Sequence, residues 1–294
     1  MNLLSIKELS SKFIEDIYIL AAELKKEPVK DLLKGKTAAM IFEKPSNRTR
    51  VSFEVGMFQL GGHAVSLSES MLQIGTRESE ADVARTLSRY VDCIIYRTFE
   101  HSKVEEMAKY ASVPVINALS DKAHPCQALA DIYTIIEKLG GETPHAASVQ
   151  GKKIVFVGDG NNVARSLNEL CKKMGMKFLL CCPKGYEMED CEVSYNPQSA
   201  VKDADVIYTD VWASMGQEKE TIKRKKDFAK FQVNSKLLKA AKKDTLIMHC
   251  LPAHRGEEIT ADAIESKDSI VFDQAENRLH VQKAVLVKLL SGEK

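Results

Sequence analysis

The first residues of this chain that could do chemistry are two arginines and two hydroxyl side chains within five positions, Ser46-Asn47-Arg48-Thr49-Arg50. An apolar run over residues 37–42 precedes them and predicts a buried strand, and apolar residues at helical spacing follow over residues 51–60. The backbone N–H groups of a first helical turn have no partner within the helix. Arginines at that end oppose the helix dipole unless an anion binds there. The stretch therefore predicts a phosphate site, and the alternative is a capping serine followed by solvated arginines.

Three further polar side chains follow predicted strands of the first half. Arg97 ends a strand expected over residues 91–97, and beside a phosphate site it could polarise a carbonyl oxygen. His124 precedes Pro125, which suits the first position of a helix, and Gln127 falls on the same side of that helix. A helix N-terminus disfavours imidazolium, so His124 is expected to be neutral.

The second half repeats this arrangement. Gly158-Asp159-Gly160-Asn161-Asn162 follows an apolar strand at 153–157 and resembles a dinucleotide-binding turn, but Val163 stands where the third glycine is expected. Asn162 could bind a ligand's carboxylate and amine, or it could cap the following helix. Asp210, at the end of a strand over 204–210, could pair with a substrate ammonium group.

The elements that must position these side chains are strands and helices in alternation. The candidates named so far lie at the carboxyl end of a predicted strand or at the helix start after it, which is where open parallel sheets bind ligands. Glycines and Pro144 interrupt the pattern over residues 140–151, which predicts a domain boundary. An amphipathic helix is expected over residues 5–26, a solvated charged segment over 217–230, and a final helix over 281–290.

Composition excludes several classes of protein. The chain has 294 residues, of which 44% are hydrophobic and 28% charged, with a formal net charge of +1. This charge gives no bulk attraction to nucleic acid or to a membrane. No apolar run approaches the ~18 residues of a membrane span, and no signal peptide is expected at the N-terminus. Seven cysteines lack paired metal-ligand spacing, which favours buried thiols in a reducing cytoplasm.

The motifs resemble those of the aspartate/ornithine transcarbamylases, in family order along essentially the whole chain. Residues 46–50 followed by Val-Ser-Phe-Glu are similar to the family's carbamoyl phosphate signature, and His-Pro-x-Gln at 124–127 is similar to its second motif. Ser214-Met215-Gly216 and His249-Cys250-Leu251-Pro252 resemble the ornithine-type members. Asn47 stands where threonine is common; little effect is expected, because this position is expected to contribute its backbone N–H.

The resemblance implies an α/β fold of two domains, each a parallel sheet flanked by helices, with the active site in the interdomain cleft. Residues 1–140, joined by the C-terminal helix 277–294, would bind carbamoyl phosphate. Residues 141–276 would bind ornithine. The implied reaction transfers the carbamoyl group to the δ-amine of L-ornithine, giving L-citrulline and phosphate, and it needs no metal or organic cofactor.

The resemblance also implies a role for individual residues. Those for carbamoyl phosphate are Ser46, Asn47, Arg48, Thr49, Gln73, Arg97, His124, Gln127, Cys250, Leu251 and Arg278. Those for ornithine are Asn162, Asp210, Ser214 and Met215. Catalysis would rest on Cys250, Arg97, His124 and Asp210. Cys250 is expected to accept or relay a proton rather than to act as a covalent nucleophile. Gln73 would reach a neighbouring subunit's site, which implies a homotrimer or an assembly of trimers.

Other functions stay open at this point. Putrescine or an N-acylated ornithine could be the acceptor, although Asp210 with residues 214–216 suits a free α-amino acid. A nucleotide-dependent dehydrogenase conflicts with the missing glycine and with the absence of an acidic residue after strand 177–183. A non-catalytic sensor of anionic metabolites conflicts with the presence of both Cys250 and His124. Arginine synthesis and citrulline breakdown are both compatible with the motifs.

Overall fold

The computed structural model describes residues 1–140, 146–214 and 216–291. The chain divides into two compact units, Met1–Ala146 with Glu276–Lys294, and Ala147–Ala275. Each unit contains one parallel sheet flanked by helices, which confirms the predicted fold class. Among the helices of the described residues, none combines the length and the apolar character that crossing a bilayer requires.

The first unit is built on a four-stranded sheet of order β2-β1-β3-β4. Its strands are β1 (Thr37–Phe42), β2 (His63–Ser68), β3 (Cys93–Arg97) and β4 (Val115–Leu119). Its helices are α1 (Ser11–Lys26), α2 (Arg48–Gln59), α3 (Glu69–Leu72), α4 (Glu80–Leu87), α5 (His101–Tyr110) and α6 (Pro125–Leu139). In the register of the sheet, Phe42 pairs with Arg97 and Arg97 with Leu119. The segments that leave β1, β3 and β4 therefore start at the same edge.

The second unit is built on a five-stranded sheet of order β7-β6-β5-β8-β9. Its strands are β5 (Lys153–Val157), β6 (Lys177–Cys181), β7 (Glu192–Ser194), β8 (Val206–Thr209) and β9 (Leu246–His249). Its helices are α7 (Asn162–Lys173), α8 (Pro197–Ala200), α9 (Thr221–Phe228), α10 (Ser235–Leu238) and α11 (Ala261–Ile264). Thr209 pairs with both Val157 and His249, so the segments after β5, β8 and β9 leave the sheet side by side.

The last helix, α12, spans Val271–Leu290 and begins ten residues before the predicted start at 281. Its residues from Glu276 onward belong to the first unit. Residues 292–294, which complete the proposed helix 277–294, lie outside the described residues. Apolar spacing missed the first half of α12 because its buried side chains there include polar ones, Gln274, Asn277 and Arg278.

Three other elements differ in detail from the sequence predictions. The first helix lies within the predicted range 5–26 and begins at Ser11, because the hydroxyl of Ser10 accepts from the N–H of Phe13 and caps it. Helix α2 buries Phe53 and Met57, whereas Val51 and Phe58 are 51% and 78% exposed, so its apolar face is only half covered within this chain. The charged segment 217–230 is not simply solvated, because it contains α9 with a buried phenylalanine and a buried arginine.

A buried lysine gives the first unit a testable electrostatic property. The ammonium group of Lys283 donates to the carbonyls of Leu24 and Pro28 and to Oε1 of Gln59, at 2.9–3.1 Å. These are neutral acceptors, and burial lowers the pKa of Lys283 to about 8 from its ordinary value of 10.5. The folded state therefore loses this proton at lower pH than the unfolded chain does.

We expect the free energy of unfolding to rise with pH between about 8 and 10.5 through Lys283, because the unfolded chain binds more protons in that window. The contribution is at most about 1.4 kcal/mol per pH unit. Denaturant unfolding of wild type and Lys283→Met across this range measures it as the difference between the two slopes. Parallel pH dependence in the two proteins would contradict the assignment. Lys288→Met, on the same helix but half-buried beside Asp16, is the control.

Candidate functional site

Three residues from distant parts of the sequence meet at the buried side chain of Arg278. Its Nη2 donates to Oγ1 of Thr49 at 3.2 Å, and its Nη1 donates to Oε1 of Gln127. Gln127 in turn donates from Nε2 to Asp131 at 2.8 Å, which fixes the orientation of its amide. Three residues predicted to bind carbamoyl phosphate are thus brought together within the first unit.

His124 lies at the start of α6 and is buried. Burial, and then the positive charges of Arg278, Arg97 and Arg48, lower the pKa of His124 well below its ordinary value. The imidazole is therefore neutral at physiological pH, as the sequence predicts. Four of the predicted residues thus share one positively charged environment.

The start of α2 has the features predicted for an anion site. Asn47 occupies the N-cap position with φ −87° and ψ −67°, and its side chain makes no capping hydrogen bond. The first turn contains no acidic residue. Ser46 and Arg48 are half-buried, and Thr49 is buried. A bound anion would satisfy the N–H groups of this turn and offset its arginine charge.

Glu43, to which the sequence analysis assigned no role, holds the two neighbours of Arg97. Its buried carboxylate accepts from the hydroxyls of Tyr96 at 2.6 Å and Thr98 at 2.5 Å, the two neighbours of Arg97. Its N–H donates to the carbonyl of Arg97 at 2.9 Å. Burial raises the pKa of Glu43, but hydrogen bonds from Thr98, Tyr96 and Lys103 outweigh it and lower the pKa below its ordinary value. Side chains alternate along a strand, so holding both neighbours directs Arg97 to the opposite face.

Gln73 is not joined to this cluster by any contact between the described residues. It is exposed and has a positive φ of 48°. Its carbonyl accepts from the N–H groups of Thr76 and Arg77 in the same loop. Its predicted role at a neighbouring subunit's site stays a prediction.

In the second unit, Asp210 connects two segments that leave the sheet side by side. The thiol of Cys250 donates to Oδ1 of Asp210 at 3.0 Å, and the amide of Asn161 donates to Oδ2 at 2.8 Å. The N–H of Val211 also donates to Oδ1, at 2.8 Å. Two predicted catalytic residues, Asp210 and Cys250, are therefore in direct contact.

The two asparagines at the start of α7, Asn161 and Asn162, have different structural positions. Oδ1 of Asn161 accepts from the N–H groups of Val163 and Ala164, at 3.0 Å each, so Asn161 is the helix cap. Asn162 is the first residue of the helix and is half-buried. The capping role that the sequence left open for Asn162 thus belongs to its neighbour.

A buried ion pair holds the loop after Asp210. Arg224 of α9 donates from Nη1 to Asp159 at 2.7 Å and to the carbonyl of Trp212 at 3.0 Å. Burial, and the nearby charge of Asp210, raise the pKa of Asp159 although Arg224 opposes the shift. Arg224 therefore ties the turn at 158–162 to the loop that leads to Ser214. Its position in a run of lysines gave no signal, because its partner is 65 residues away in sequence.

The remaining predicted residues of this unit lie on its loops. The N–H of Ser214 donates to Oε1 of Gln217 at 2.9 Å, and Ser214 is half-buried. Met215 lies outside the described residues. Leu251 adopts a positive φ of 58° before a cis bond to Pro252.

His249 orients the segment that contains Cys250 and Leu251. Its Nδ1 accepts from the N–H of Leu251 at 2.8 Å, which places the imidazole proton on Nε2. Nε2 lies 3.0 Å from Oε1 of the buried Glu258 and donates to it.

Family models match both halves of the chain. The model described as "Aspartate/ornithine carbamoyltransferase, carbamoyl-P binding domain" matches residues 1–137, and the one described as "Aspartate/ornithine carbamoyltransferase, Asp/Orn binding domain" matches residues 150–289.

Similar proteins include "Ornithine carbamoyltransferase, anabolic" of Pyrococcus furiosus, 56% identical over 279 residues that cover 90% of this chain and 86% of the relative. The ornithine carbamoyltransferase of Anoxybacillus flavithermus is 52% identical over 309 residues, covering 98% of this chain and 96% of the relative. The solved structure of the Pyrococcus furiosus ornithine carbamoyltransferase has a TM-score of 0.93 at 51% identity, covering 100% of this chain and 98% of that one.

The single tryptophan, Trp212, reports on the Arg224 anchor. We expect Arg224→Met to move tryptophan emission to longer wavelength and to increase its quenching by acrylamide, because the loop loses its hydrogen bond and Asp159 its cation. The free energy of unfolding should fall by about 2 kcal/mol. Lys226→Met removes the same charge from an exposed position of α9 and is the control. Emission from Arg224→Met that matches this control would contradict the anchoring role.

Proposed function

The chain belongs to the aspartate/ornithine carbamoyltransferase family, and we propose that it transfers the carbamoyl group of carbamoyl phosphate to the δ-amine of L-ornithine, giving L-citrulline and phosphate. The observation that carries the proposal is the buried cluster in which Arg278 contacts Thr49 and Gln127 beside a neutral His124. This cluster suits an uncharged carbonyl attached to an anionic group, which is the chemical character of carbamoyl phosphate.

We assign the phosphate to the start of α2, where Ser46, Asn47, Arg48 and Thr49 offer N–H groups, hydroxyls and a guanidinium. Charge grows on the carbamoyl oxygen as the amine attacks, and Arg97, Thr49 and His124 would stabilise it. Gln127 would hold the carbamoyl nitrogen. The departing phosphate carries more charge than the phosphoryl group of carbamoyl phosphate, and the same N–H groups and arginines would stabilise it further.

The acceptor would bind to the second unit through its cationic and carboxylate groups. Asp210 would hold an ammonium group, and Asn162, Ser214 and Met215 would complete the amino-acid site. The attacking amine must be neutral, although an alkyl amine has an ordinary pKa of about 10.4. The thiol of Cys250, 3.0 Å from Asp210, offers a route for that proton. Leu251 would add contacts to the carbamoyl group beside Cys250.

The reaction requires both substrates, so we propose a carbamoyl phosphate domain, residues 1–140 with 277–294, and an ornithine domain, residues 141–276. The separate family descriptions of the two halves support this division.

We further propose a homotrimer, or an assembly of trimers, in which Gln73 serves a neighbouring site. Val51 and Phe58, exposed on one face of α2, support burial of that face against another copy. The seven cysteines are all free thiols, which fits a reducing cytoplasm. The name of the Pyrococcus furiosus relative, which includes "anabolic", supports a role in arginine synthesis.

Ureido product formed from carbamoyl phosphate tests the function directly, with ornithine, putrescine, N-acetylornithine and aspartate offered as separate acceptors. We expect product with ornithine alone, because Asp210 and the loop to Ser214 suit a free α-amino acid. Product with a different acceptor would overturn the assignment of residues 210–216. Absence of product with all four acceptors, from folded protein that binds carbamoyl phosphate, would favour the sensor.

Cys250 is tested by substitution at the same site. We expect Cys250→Ser to fold normally, because its hydroxyl can still donate to Asp210, but to lower kcat about 100-fold at neutral pH. The pH–rate profile should also shift, because the hydroxyl ionises at much higher pH than the thiol. Cys191→Ala removes a half-buried thiol outside the proposed site and serves as the control. A profile that superimposes on that of wild type would remove Cys250 from the proton path.

A further inference from the structure

Arg278 is oriented by a residue of its own helix that the proposed mechanism does not use. Its Nε donates to Oε1 of Gln282 at 2.9 Å, one turn further along α12. The amide nitrogen of Gln282 then donates to Oγ of Ser52 at 2.8 Å. Gln282 is fully buried, so neither of its polar atoms is in contact with solvent.

Ser52 connects Gln282 to the backbone at the start of α2, where the phosphate is proposed to bind. Its hydroxyl lies 2.6 Å from the carbonyl of Arg48 and 3.2 Å from that of Thr49, and it donates to both in a three-centre arrangement. Since Arg278 also donates to Oγ1 of Thr49, the contacts close a ring through Arg278, Gln282, Ser52 and Thr49.

The ring fixes more than either contact could alone. The three nitrogens of the Arg278 guanidinium donate to three different side chains, Gln282, Thr49 and Gln127. A planar fork held at three nitrogens has one orientation. All three of these acceptors are neutral side chains.

The geometry points to Gln282 as a positioning residue for the carbamoyl phosphate site, acting through Arg278 and, by way of Ser52, through the first turn of α2. This inference rests on the proposed function, because it assigns a purpose to the orientation of Arg278. Gln282 itself touches no proposed substrate position and is not a catalytic residue.

The discriminating variant is Gln282→Met, which keeps a similar volume and removes both polar atoms. It leaves Nε of Arg278 without its acceptor at a site that water does not reach. We expect the KM for carbamoyl phosphate to rise about tenfold, with the KM for ornithine unchanged. Ser52→Ala, which keeps Gln282 against Arg278, should raise the same KM by a smaller factor.

Val281→Ala is the matched control, because Val281 is equally buried on α12 and is not part of the ring. It should lower the Tm with both KM values unchanged. The inference is overturned if Gln282→Met behaves as this control does, or if both KM values rise together. Should Gln282→Met fail to fold, Ser52→Ala against Val281→Ala decides by the same comparison.

Calorimetric titration with inorganic phosphate separates this inference from the proposed function. Wild type that binds phosphate but forms no ureido product with any acceptor would refute the function alone. The ring would then be judged by phosphate affinity, which should be weaker in Gln282→Met than in Val281→Ala. Equal affinities in these two variants would refute the positioning role whether or not the wild type is active.

Discussion

Buried positive charge around one neutral imidazole is the constraint on which the first unit depends. Removing guanidinium groups from water is costly, and Arg97 and Arg278 are both largely buried. The acceptors described above for Arg278 are the amide oxygens of Gln127 and Gln282 and the hydroxyl of Thr49. Burial, and then these guanidinium charges, lower the pKa of His124, so its neutral imidazole can hydrogen-bond to a carbonyl or an amide without adding another cation. A site built this way favours an anion joined to a neutral polar group.

In the second unit the candidate substrate-binding charge is negative rather than positive. Asp210 and Asp159 lie near enough for the charge of one to raise the pKa of the other, and only Asp159 has an arginine partner described above. Asp210 instead accepts from the neutral groups of Asn161, Val211 and Cys250, so its negative charge is oriented and retained. Such a carboxylate suits an ammonium group. In both units, neutral hydrogen bonds do the positioning where a substrate charge is to be met.

Sequence reasoning predicted positions best where chemistry and local pattern coincide. A polar residue at the carboxyl end of an apolar run can be recognised without a structure, and Arg97, His124 and Asp210 do lie at a strand end or at the helix start after it; their roles stay predictions. The parallel register then explains why the candidates within each unit start from the same edge of its sheet, since Phe42 pairs with Arg97 in the first unit and Thr209 with His249 in the second. The end of a strand can be predicted from local sequence. In a parallel sheet the carboxyl ends of neighbouring strands lie at the same edge, so residues that follow them are close in space.

The residues that orient the site were missed because their partners are distant in sequence. Glu43 acts on side chains 53 and 55 positions away, Arg224 on one 65 away, and Gln282 on Ser52 across 230 positions. Glutamate beside lysine, arginine among lysines and glutamine on a helix all look like ordinary solvated residues in sequence. What distinguishes them is burial, which makes a lost hydrogen bond costly because water cannot replace it. The orientation of the charged side chains in a site therefore depends on polar residues that no local sequence pattern identifies. Substituting such residues should change KM although they make no direct contact with the substrate.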